Sequence, residues 1–571
     1  MHTDVAIIGA GPGGSTCGGF LRKYDPSLKV AIFEREVFPR DHVGESQLPL
    51  IGKLLDELGV WDAVEAAEFP IKIGATYRWG KSNDLWDFHF VPNGDFHDEP
   101  RPAKYEGQRT DTALQVDRAV YDKILAEHAE SLGCDVRFDC PVRSVERDGD
   151  RVTGLILADG TRVEADTYID ASGHSGILRR AMGVEIEEPS KLRNVAFWDY
   201  WQNADWAVSV GVGGTRVQVM SVGYGWLWFI PLSPTRTSIG LVCPADYYKQ
   251  SGRPPEELYR EAMEQEPRIR SLVVNATSEG KFSTTKDWSF VAERITGENW
   301  YLVGEALGFA DPILAAGLTI THASARECAF SIIESRQQPR SLQKDRWLKE
   351  QYEQKNRRRL LQHIRFADYW YSANAHFTEL KEFTREIARD AGLELDADRA
   401  FQWLGTGGFV EEDMGTGGFG TVALVALHQI TRRFSENPAK VEIDGSNMYV
   451  LRLRGANQVQ IASYSKGRVH ALPALERDGK LLPLYGMFGY VVEALQQNSQ
   501  TDKVMHYLFR RLQETGNSFG EAAEIHIFGC LEAMARDGWI SCKRSDLLPP
   551  AEFEVPENTP AIMANQDPLP G

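Results

Sequence analysis

The architecture of this chain is set near its amino terminus, in residues Val5-Ala6-Ile7-Ile8-Gly9-Ala10-Gly11-Pro12-Gly13-Gly14. Four apolar residues that stop at a glycine are typical of a buried parallel strand, and residues 15–24 then follow a helical pattern. The glycines match G-x-G-x-x-G. In this pattern Gly9 makes a tight turn, Gly11 lets the backbone approach a pyrophosphate, and Gly14 lets the helix pack on the strand. These residues therefore predict a dinucleotide site at a helix N-terminus.

A second apolar run completes the unit. Val30-Ala31-Ile32-Phe33 has the pattern of another buried strand and ends at Glu34, twenty residues after Gly14. A carboxylate in this place binds the ribose hydroxyls of an adenosine. Strand, helix and strand within the first 34 residues form a β-α-β unit, so we predict an α/β, Rossmann-like domain.

Size and charge limit the classes of function. A chain of 571 residues is too long for one ordinary core, so two or three domains are expected. The composition, 42% hydrophobic and 10% aromatic, is that of a globular protein. A net charge of −18 argues against a nucleic-acid partner, which would require clustered lysine and arginine.

Cysteine usage and hydropathy point to a reduced, aqueous compartment. The seven cysteines form no CxxC pair, so we expect neither a disulfide framework nor a metal site. The amino terminus lacks the pattern of a signal peptide, and no apolar run approaches the ~20 residues of a membrane span. The sequence thus predicts a cytoplasmic protein without a membrane partner.

Changes of pattern suggest the domain limits. Residues 193–243 alternate and are rich in Val, Trp and Tyr, which indicates an antiparallel sheet. We predict three parts: a dinucleotide-binding module over 1–365, with the antiparallel sheet at about 185–290; a C-terminal α+β domain over 366–546; and an irregular tail over 547–571.

A glycine-rich sequence occurs twice in the C-terminal third, at 405–409 and 415–419. Two copies are too few for a repeat array, so we interpret them as a loop. This third of the chain lines the substrate cavity or forms an interface, and the sequence favours neither role.

Two later motifs favour a flavin over a nicotinamide. Asp170-Ala171-Ser172-Gly173, and Gly304-Glu305-Ala306 ahead of Asp311-Pro312, resemble the second and third flavin motifs of the FAD-dependent aromatic hydroxylases. This resemblance implies FAD and an antiparallel substrate sheet interleaved with the Rossmann-like domain. In that family the acidic residue of the third motif, usually Asp, binds the ribityl chain, and Glu305 is one methylene longer. Arg118 stands where the family has a flavin-contacting arginine.

A tryptophan motif narrows the resemblance. Gly225-Trp226-Leu227-Trp228-Phe229-Ile230-Pro231 contains the W-x-W-x-I-P element of flavin-dependent halogenases. In that family the two tryptophans lie beside the flavin and keep the substrate away from it. The alternative is a pair of core tryptophans, since residues i and i+2 share one face of a strand.

A lysine motif supports the same resemblance to flavin-dependent halogenases. Lys72-Ile73-Gly74-Ala75-Thr76 resembles the halogenase segment that carries the active-site lysine. Such a lysine captures hypohalous acid by a hydrogen bond or as a chloramine, and burial would lower its pKa toward neutrality. The alternative is a surface lysine on a loop, the commonest setting for this residue.

Two further segments resemble flavin contacts of the same family. Gly44-Glu45-Ser46, which follows Arg40, resembles the G-E-S segment that flanks the flavin. Lys286-Asp287-Trp288-Ser289 is similar to a segment of the chloramphenicol-pathway type of halogenase, at the dimethylbenzene edge of the flavin. Asp287 would contact or esterify the ring methyl there, or else it is a surface aspartate. The resemblance covers about residues 3–365.

The segment Asp311–Thr319 departs from the family. Tryptophan halogenases have glutamate in the place of Leu314, and many relatives have serine in the place of Ala315. The loss of both removes a general base and disfavours a tryptophan-type mechanism. The backbone amides remain, and they suit a halide at Ala316 and Gly317 and the flavin at Gly317 and Leu318. The alternative is a helix N-terminus that serves the flavin alone.

The resemblance implies FAD-dependent halogenation. FADH2 from a separate flavin reductase would react with oxygen to give a C4a-hydroperoxide, a halide would attack the distal oxygen, and hypohalous acid would pass the tryptophans to the lysine. The substrate would be a small electron-rich molecule, free or carrier-tethered. A hydroxylating monooxygenase, a geranylgeranyl-type reductase and a non-catalytic flavoprotein stay open as alternatives. The predicted catalytic residues are Lys72, Trp226, Trp228 and Glu45. The predicted FAD contacts are Gly9, Gly11, Gly14, Glu34, Arg40, Ser46, Arg118, Asp170, Gly173, Asp287, Glu305, Asp311, Gly317 and Leu318.

Overall fold

The computed structural model describes most of the chain: residues 1–91, 96–97, 99–390, 429, 433–434, 442–514, 521–548 and 562–565. Both glycine-rich copies and most of the tail predicted over 547–571 lie outside these residues. The chain divides into two compact units: Met1–Gly392 with Lys466–Arg468 and Met563–Gly571, and Leu393–Ser465 with Val469–Ile562. The domain limits drawn from the sequence stay predictions.

The first sheet of the larger unit contains the amino-terminal motif. Its central strands are parallel, with Ile7 of the first strand opposite Ile32 and Ile169. Beyond the strand that contains Ile169, the sheet continues with two antiparallel strands. The members are β1 (His2–Ile8), β2 (Val30–Phe33), β6 (Asp135–Arg137), β7 (Val142–Asp148), β8 (Arg151–Leu157), β9 (Arg162–Asp170) and β18 (Trp300–Leu302).

Helices cover this sheet. The first helix begins at Pro12 and is buried from Pro12 to Leu21, because it packs between the sheet and its neighbouring helices. The helices of this part are α1 (Pro12–Tyr24), α2 (Leu50–Leu58), α3 (Trp61–Glu65), α4 (Arg118–Ser131), α5 (Ile177–Ala181) and α9 (Gly317–Arg336).

The second sheet is mainly antiparallel and includes the region predicted at 193–243. Its strands are β3 (Ile71–Arg78), β4 (Trp86–His89), β5 (Ala113–Leu114), β11 (Arg193–Gln202), β12 (Gly214–Val222), β13 (Gly225–Pro231), β14 (Arg236–Pro244), β15 (Thr277–Ser278), β16 (Ser283–Trp288) and β25 (Ile562–Ala564). One face packs on α6 (Ala245–Ser251), α7 (Pro255–Gln265) and α8 (Pro267–Leu272). Leu227 and Phe229 point into that core. Because strand side chains alternate, Trp226 and Trp228 point to the other face.

Short elements complete the larger unit: β10 (Ile186–Glu187), β17 (Phe290–Ala292), β19 (Gly308–Phe309), α10 (Leu342–Ser372) and α11 (Lys381–Asp390). The smaller unit has a core around Val491, Leu508, Ile527 and Trp539. The remaining elements are β20 (Met448–Leu451), β21 (Asn457–Ser465), β22 (Arg468–Arg477), β23 (Lys480–Pro483), α12 (Gly486–Gln497), α13 (Thr501–Glu514), α14 (Glu521–Arg536) and β24 (Ile540–Lys543).

The predicted fold class, a Rossmann-like domain interleaved with an antiparallel sheet, is confirmed. Among the helices of the described ranges, none combines the length and the hydropathy that a membrane span requires.

Candidate active site

The three motif glycines of the amino-terminal loop have different surroundings. A Cβ on Gly9, whose φ is +99°, would lie 2.5 Å from the Ala171 carbonyl oxygen, and a Cβ on Gly14 would lie 1.9 Å from the Gly9 carbonyl oxygen. The chain's own packing therefore requires both. A Cβ on Gly11 would meet only the tip of Arg40, at 3.7 Å, so this backbone is open on one side. The opening fits the approach of a pyrophosphate.

Glu34 is buried and binds the loop. Its Oε2 accepts a hydrogen bond from the Ala10 amide at 2.7 Å, and its Oε1 accepts one from the Glu36 amide at 3.1 Å. A carboxylate has about four acceptor sites, so lone pairs remain for ribose hydroxyls. Glu34 thus both shapes the loop and keeps the capacity to bind a ribose.

Asp170 organises the second flavin motif. Its carboxylate accepts hydrogen bonds from the amide and hydroxyl of Ser172 and from the amides of Leu178 and Arg179. These four bonds use its acceptor sites and start α5. The same turn brings the second and third motifs together, because a Cβ on Gly173 would lie 3.9 Å from Glu305 Oε2.

Several buried polar atoms beside these motifs have no hydrogen-bond partner among the described residues. They are the hydroxyl oxygens of Ser46 and Thr319 and both amide atoms of Gln115. Ser46 and Gln115 face each other across a β-bridge, and Thr319 is in the first turn of α9. Unpaired buried groups are costly, so these atoms fit a polar ligand that supplies their missing partners, as FAD would. Gln115 and Thr319 were not among the residues predicted from the sequence, although Thr319 ends the quoted segment Asp311–Thr319 and Gln115 lies just ahead of Arg118.

Arg118 and Arg40 share one partner, Asp122. Arg118 donates to Asp122 Oδ1 at 2.6 Å, and Arg40 donates to Asp122 Oδ2 at 2.9 Å. Burial acts to raise the pKa of Asp122, but the two guanidinium groups outweigh it and the pKa is lowered. Arg118 also donates to the carbonyls of Val43 and Gly44, both at 3.1 Å. It therefore holds the loop that presents Glu45.

Glu45 and Glu305 both lie near Arg118. Glu45 is 1% exposed, and burial raises its pKa to about 7, against the opposing effects of Arg118 and of a hydrogen bond from the Tyr200 hydroxyl at 3.2 Å. Burial also raises the pKa of Glu305, with Arg118 acting the other way. Each carboxyl group is thus able to hold a proton nearer neutral pH than an ordinary glutamate does.

Lys72 is buried on β3, with 2% of its surface exposed. The strand has a bulge here: Lys72 is opposite Thr215 and Gly74 is opposite Arg216, which leaves Ile73 as an extra residue. The Lys72 Nζ donates to the carbonyl of Gln47 at 2.9 Å. Gln47 follows Glu45 by two residues in the sequence. Burial lowers its pKa to about 7, and no charged neighbour among the described residues offsets this. Near neutral pH the amine therefore exists in both protonation states.

The two tryptophans of β13 are fixed by different contacts. Their ring centroids are 6.1 Å apart. Trp228 donates to the Ser238 hydroxyl at 3.1 Å, and a Cβ on Gly240 would lie 2.2 Å from its ring, so Gly240 makes room for it. Trp226 donates to the Tyr371 hydroxyl at 2.7 Å.

Tyr371 connects Trp226 to Asp311. Its hydroxyl donates to Asp311 Oδ1 at 3.3 Å, and the Asn194 amide donates to Asp311 Oδ2 at 3.3 Å. Burial raises the pKa of Asp311. The described contacts of Asp311 are thus with Tyr371, with Asn194 and with its own loop, and its predicted contact with FAD stays a prediction.

The N-terminus of α9 is open on one side. A Cβ on Gly317 would meet nothing within 4 Å, and Ala316, the N-cap, makes no side-chain cap. The preceding Ala315 is in the left-handed region, with φ +53°. The first amides of a helix have no internal partners and carry partial positive charge, so this end fits an anion.

Comparison with known proteins agrees with this arrangement. The sequence matches the FAD binding domain family over residues 2–367. Over 345 residues it is 32% identical to the 1H-pyrrole-2-carbonyl-(peptidyl-carrier protein) chlorinase of Pseudomonas fluorescens, and the match covers 58% of this chain and 76% of the relative. This chain belongs to the flavin-dependent halogenases.

Two further matches are with another curated halogenase and with a solved halogenase structure. The tryptophan 2-halogenase of Chondromyces crocatus is 30% identical over 338 residues, which is 58% of this chain and 61% of that relative. The crystal structure of the flavin-dependent halogenase CmlS is 22% identical with a TM-score of 0.72, and the match covers 98% of this chain and 100% of that one. This second likeness is one of fold. The predicted enzyme class and its use of FAD and halide are confirmed.

Most of the predicted site residues of the halogenase lie close together in the structure. Two of them, Asp287 and Leu318, are described separately. The side chain of Asp287 lies outside the described part of the chain; its backbone belongs to β16, opposite Asn194. The side chain of Leu318 is buried, and the residue lies in the first turn of α9. Sequence reasoning missed Tyr200 and Tyr371, because no motif marks them and each meets its partner more than 140 residues away.

Proposed function

We propose that this halogenase passes hypohalous acid from the flavin to Lys72, which presents the halogen to a small electron-rich substrate. When bound, reduced FAD supplies the two electrons with which oxygen and halide become hypohalous acid. The observation that carries the proposal is that Lys72 is buried and donates to the carbonyl of Gln47. Gln47 belongs to the segment that also carries Glu45.

The chemistry of Lys72 suits both forms of capture. An ammonium has three N–H donors, and Gln47 takes one, so two remain to bind hypohalous acid. The neutral amine reacts as R–NH2 + HOX → R–NHX + H2O, and transfer to a substrate C–H then restores the amine. A lysine with a pKa of about 7 supplies either form near neutral pH. An ordinary surface lysine would be almost entirely protonated.

The pair of Trp226 and Trp228, here called the tryptophan wall, supports the separation of oxidant from substrate. Trp226 is held by Tyr371, and Trp228 is held by Ser238 and by the space at Gly240. Two buried indoles fixed in this way form a barrier that a small acid passes more readily than an aromatic substrate does. The proposed role of Trp226 and Trp228 is therefore to exclude substrate from the flavin.

The open N-terminus of α9 is the proposed halide site. Gly317 leaves space within 4 Å of its backbone, and the helix dipole favours an anion there. Backbone amides bind halide without adding a cation, which suits a chain of net charge −18.

The substrate class follows from the electrophile. Phenols, pyrroles and indoles react with electrophilic halogen, and the Pseudomonas relative acts, by its name, on a pyrrole held by a carrier protein. A pyrrole, free or carrier-bound, is therefore the first substrate to test. We also propose a separate flavin reductase, since the sequence contains no second dinucleotide motif.

The experiment combines the full-length enzyme with FAD, a generic flavin reductase, bromide and a panel of phenols, pyrroles and indoles, with product detection by mass spectrometry. Native enzyme should give brominated product, and Lys72→Ala should give none while it binds FAD normally. The matched control is Lys249→Ala, an exposed lysine on α6, which should behave as native. Bromide-independent hydroxylation that persists in Lys72→Ala would contradict the proposal.

A further inference from the structure

The overall stoichiometry of halide oxidation requires one proton per turnover: FADH2 + O2 + X⁻ + H⁺ → FAD + HOX + H2O. The groups predicted to contact the flavin are largely buried, so the proton needs a route from solvent. The candidate carrier is Glu45, because it adjoins Ser46, whose buried hydroxyl has no partner among the described residues, and because Arg118 acts on both Glu45 and Glu305.

A cavity borders Tyr200, the residue whose hydroxyl donates to Glu45. It has a volume of about 410 Å³ and is lined by residues that include Tyr200, Trp198, Phe282, Asp41, His42 and Lys281. Tyr200 belongs to this wall, and its hydroxyl donates to Glu45 Oε1 at 3.2 Å. One tyrosine thus touches both the cavity and the buried carboxyl group.

We propose that Tyr200 and Glu45 form a relay that carries the reaction's proton from the cavity to the flavin side of Glu45. The Glu45 carboxyl group gives its proton to the reacting oxygen, the Tyr200 O–H reprotonates the carboxylate, and a water in the cavity returns a proton to Tyr200. Each group ends as it began, so the net proton comes from solvent. Tyr200 acts through Glu45 and is a positioning residue.

The charges around the pair support this direction. Arg118 and the Gly44 amide face Glu45, while the Arg236 guanidinium lies 3.9 Å from the Tyr200 ring centre and Asp41 lies near its hydroxyl side. Burial and the acidic neighbours raise the pKa of Tyr200, so it passes a proton on without remaining a phenolate. The relay rests on halide oxidation in the proposed function and is independent of Lys72.

The first test measures Glu45 directly, by ¹³C NMR of labelled glutamate carboxyl groups in the FAD-bound enzyme, with the signal assigned by its loss in Glu45→Gln. Tyr200→Phe removes a donor to the carboxylate, so the pKa of Glu45 should rise. The control is Tyr224→Phe, which removes a buried hydroxyl that donates to the Leu258 carbonyl elsewhere on this sheet. An unchanged Glu45 titration in Tyr200→Phe would overturn the relay.

The second test separates the relay from a structural role. At saturating FAD, Tyr200→Phe should lower the kcat of bromide-dependent FAD turnover by at least about 10-fold and change its solvent deuterium isotope effect. The same loss should appear in a Lys72→Met background, so failure of the lysine proposal would leave it intact. Native kcat and isotope effect in Tyr200→Phe, with only FAD affinity altered, would refute it.

Discussion

At the scale of single residues, burial of the Lys72 amine lowers the stability of the folded state. Lys72 has one carbonyl partner and no ion pair among the described residues, and its pKa falls from 10.5 to about 7 because of burial. Between these two pH values the unfolded chain binds more protons than the folded chain, so the stability of the folded state rises with pH across this window. Below about pH 7 the cost is fully present.

Lys72→Met should therefore stabilise the fold at pH 7, by about 2–4 kcal/mol, since a methionine of similar length needs no hydration. The gain should shrink as the pH rises toward 10. Chemical denaturation of both proteins at several pH values measures this directly. A methionine variant that is less stable than native at pH 7 would show that Lys72 is well solvated.

At the scale of elements, the turn from β1 into α1 contains two glycines that the chain's own packing requires, Gly9 and Gly14, and one, Gly11, that is predicted to serve FAD. A Cβ on Gly14 would lie 1.9 Å from the Gly9 carbonyl oxygen, whereas a Cβ on Gly11 makes only an ordinary contact. Gly14→Ala should lower the thermal unfolding temperature by several degrees. Gly11→Ala should unfold as native but bind FAD at least ~10-fold more weakly, as isothermal titration would measure. Equal FAD affinity in Gly11→Ala and native enzyme would remove Gly11 from the site.

The strand β13 offers a second prediction at this scale. A Cβ on Gly240 would lie 2.2 Å from the Trp228 ring, so Gly240→Ala must displace the indole. We expect a loss of about 1–3 kcal/mol in the free energy of unfolding. We also expect more hydrogen peroxide per FADH2 consumed, because a displaced wall lets oxidant escape. Peroxide release equal to that of native enzyme would show that the position of Trp228 does not matter for coupling.

At the scale of the whole molecule, the larger unit joins residues that are far apart in sequence. Tyr371 of α10 binds Trp226 of β13 and Asp311 ahead of α9, and so ties the antiparallel sheet to the loop at the proposed halide site. Tyr371→Phe should lower the efficiency of halogenation and raise peroxide release. Tyr247→Phe, which removes a surface hydroxyl bonded to Glu379, should not. Product and peroxide yields per FADH2 are measured in native enzyme and in both variants. Native yields in Tyr371→Phe would contradict this role of Tyr371.

Sequence reasoning succeeded where the chemistry is local. The turn after Ile8, the strand that ends before Glu34 and the shared strand face of Trp226 and Trp228 each follow from residues close in sequence, so period and spacing reveal them. Asp122, Tyr200 and Tyr371 act through partners brought close by tertiary packing, and one sequence contains no periodic signal for such contacts. Asp170 shows a related limit: the motif predicts a contact with FAD, whereas only the structure shows that its oxygens are engaged by the chain.

The most direct test of the account asks whether Lys72 carries halogen. The native enzyme is supplied with reduced FAD, oxygen and bromide in the absence of substrate, quenched, digested and analysed by mass spectrometry. We expect one bromine in place of one hydrogen on the peptide that contains Lys72, lost on addition of a reactive phenol and absent without bromide. Brominated product formed at the native rate by Lys72→Met, with no bromine on the native peptide, would contradict the central claim.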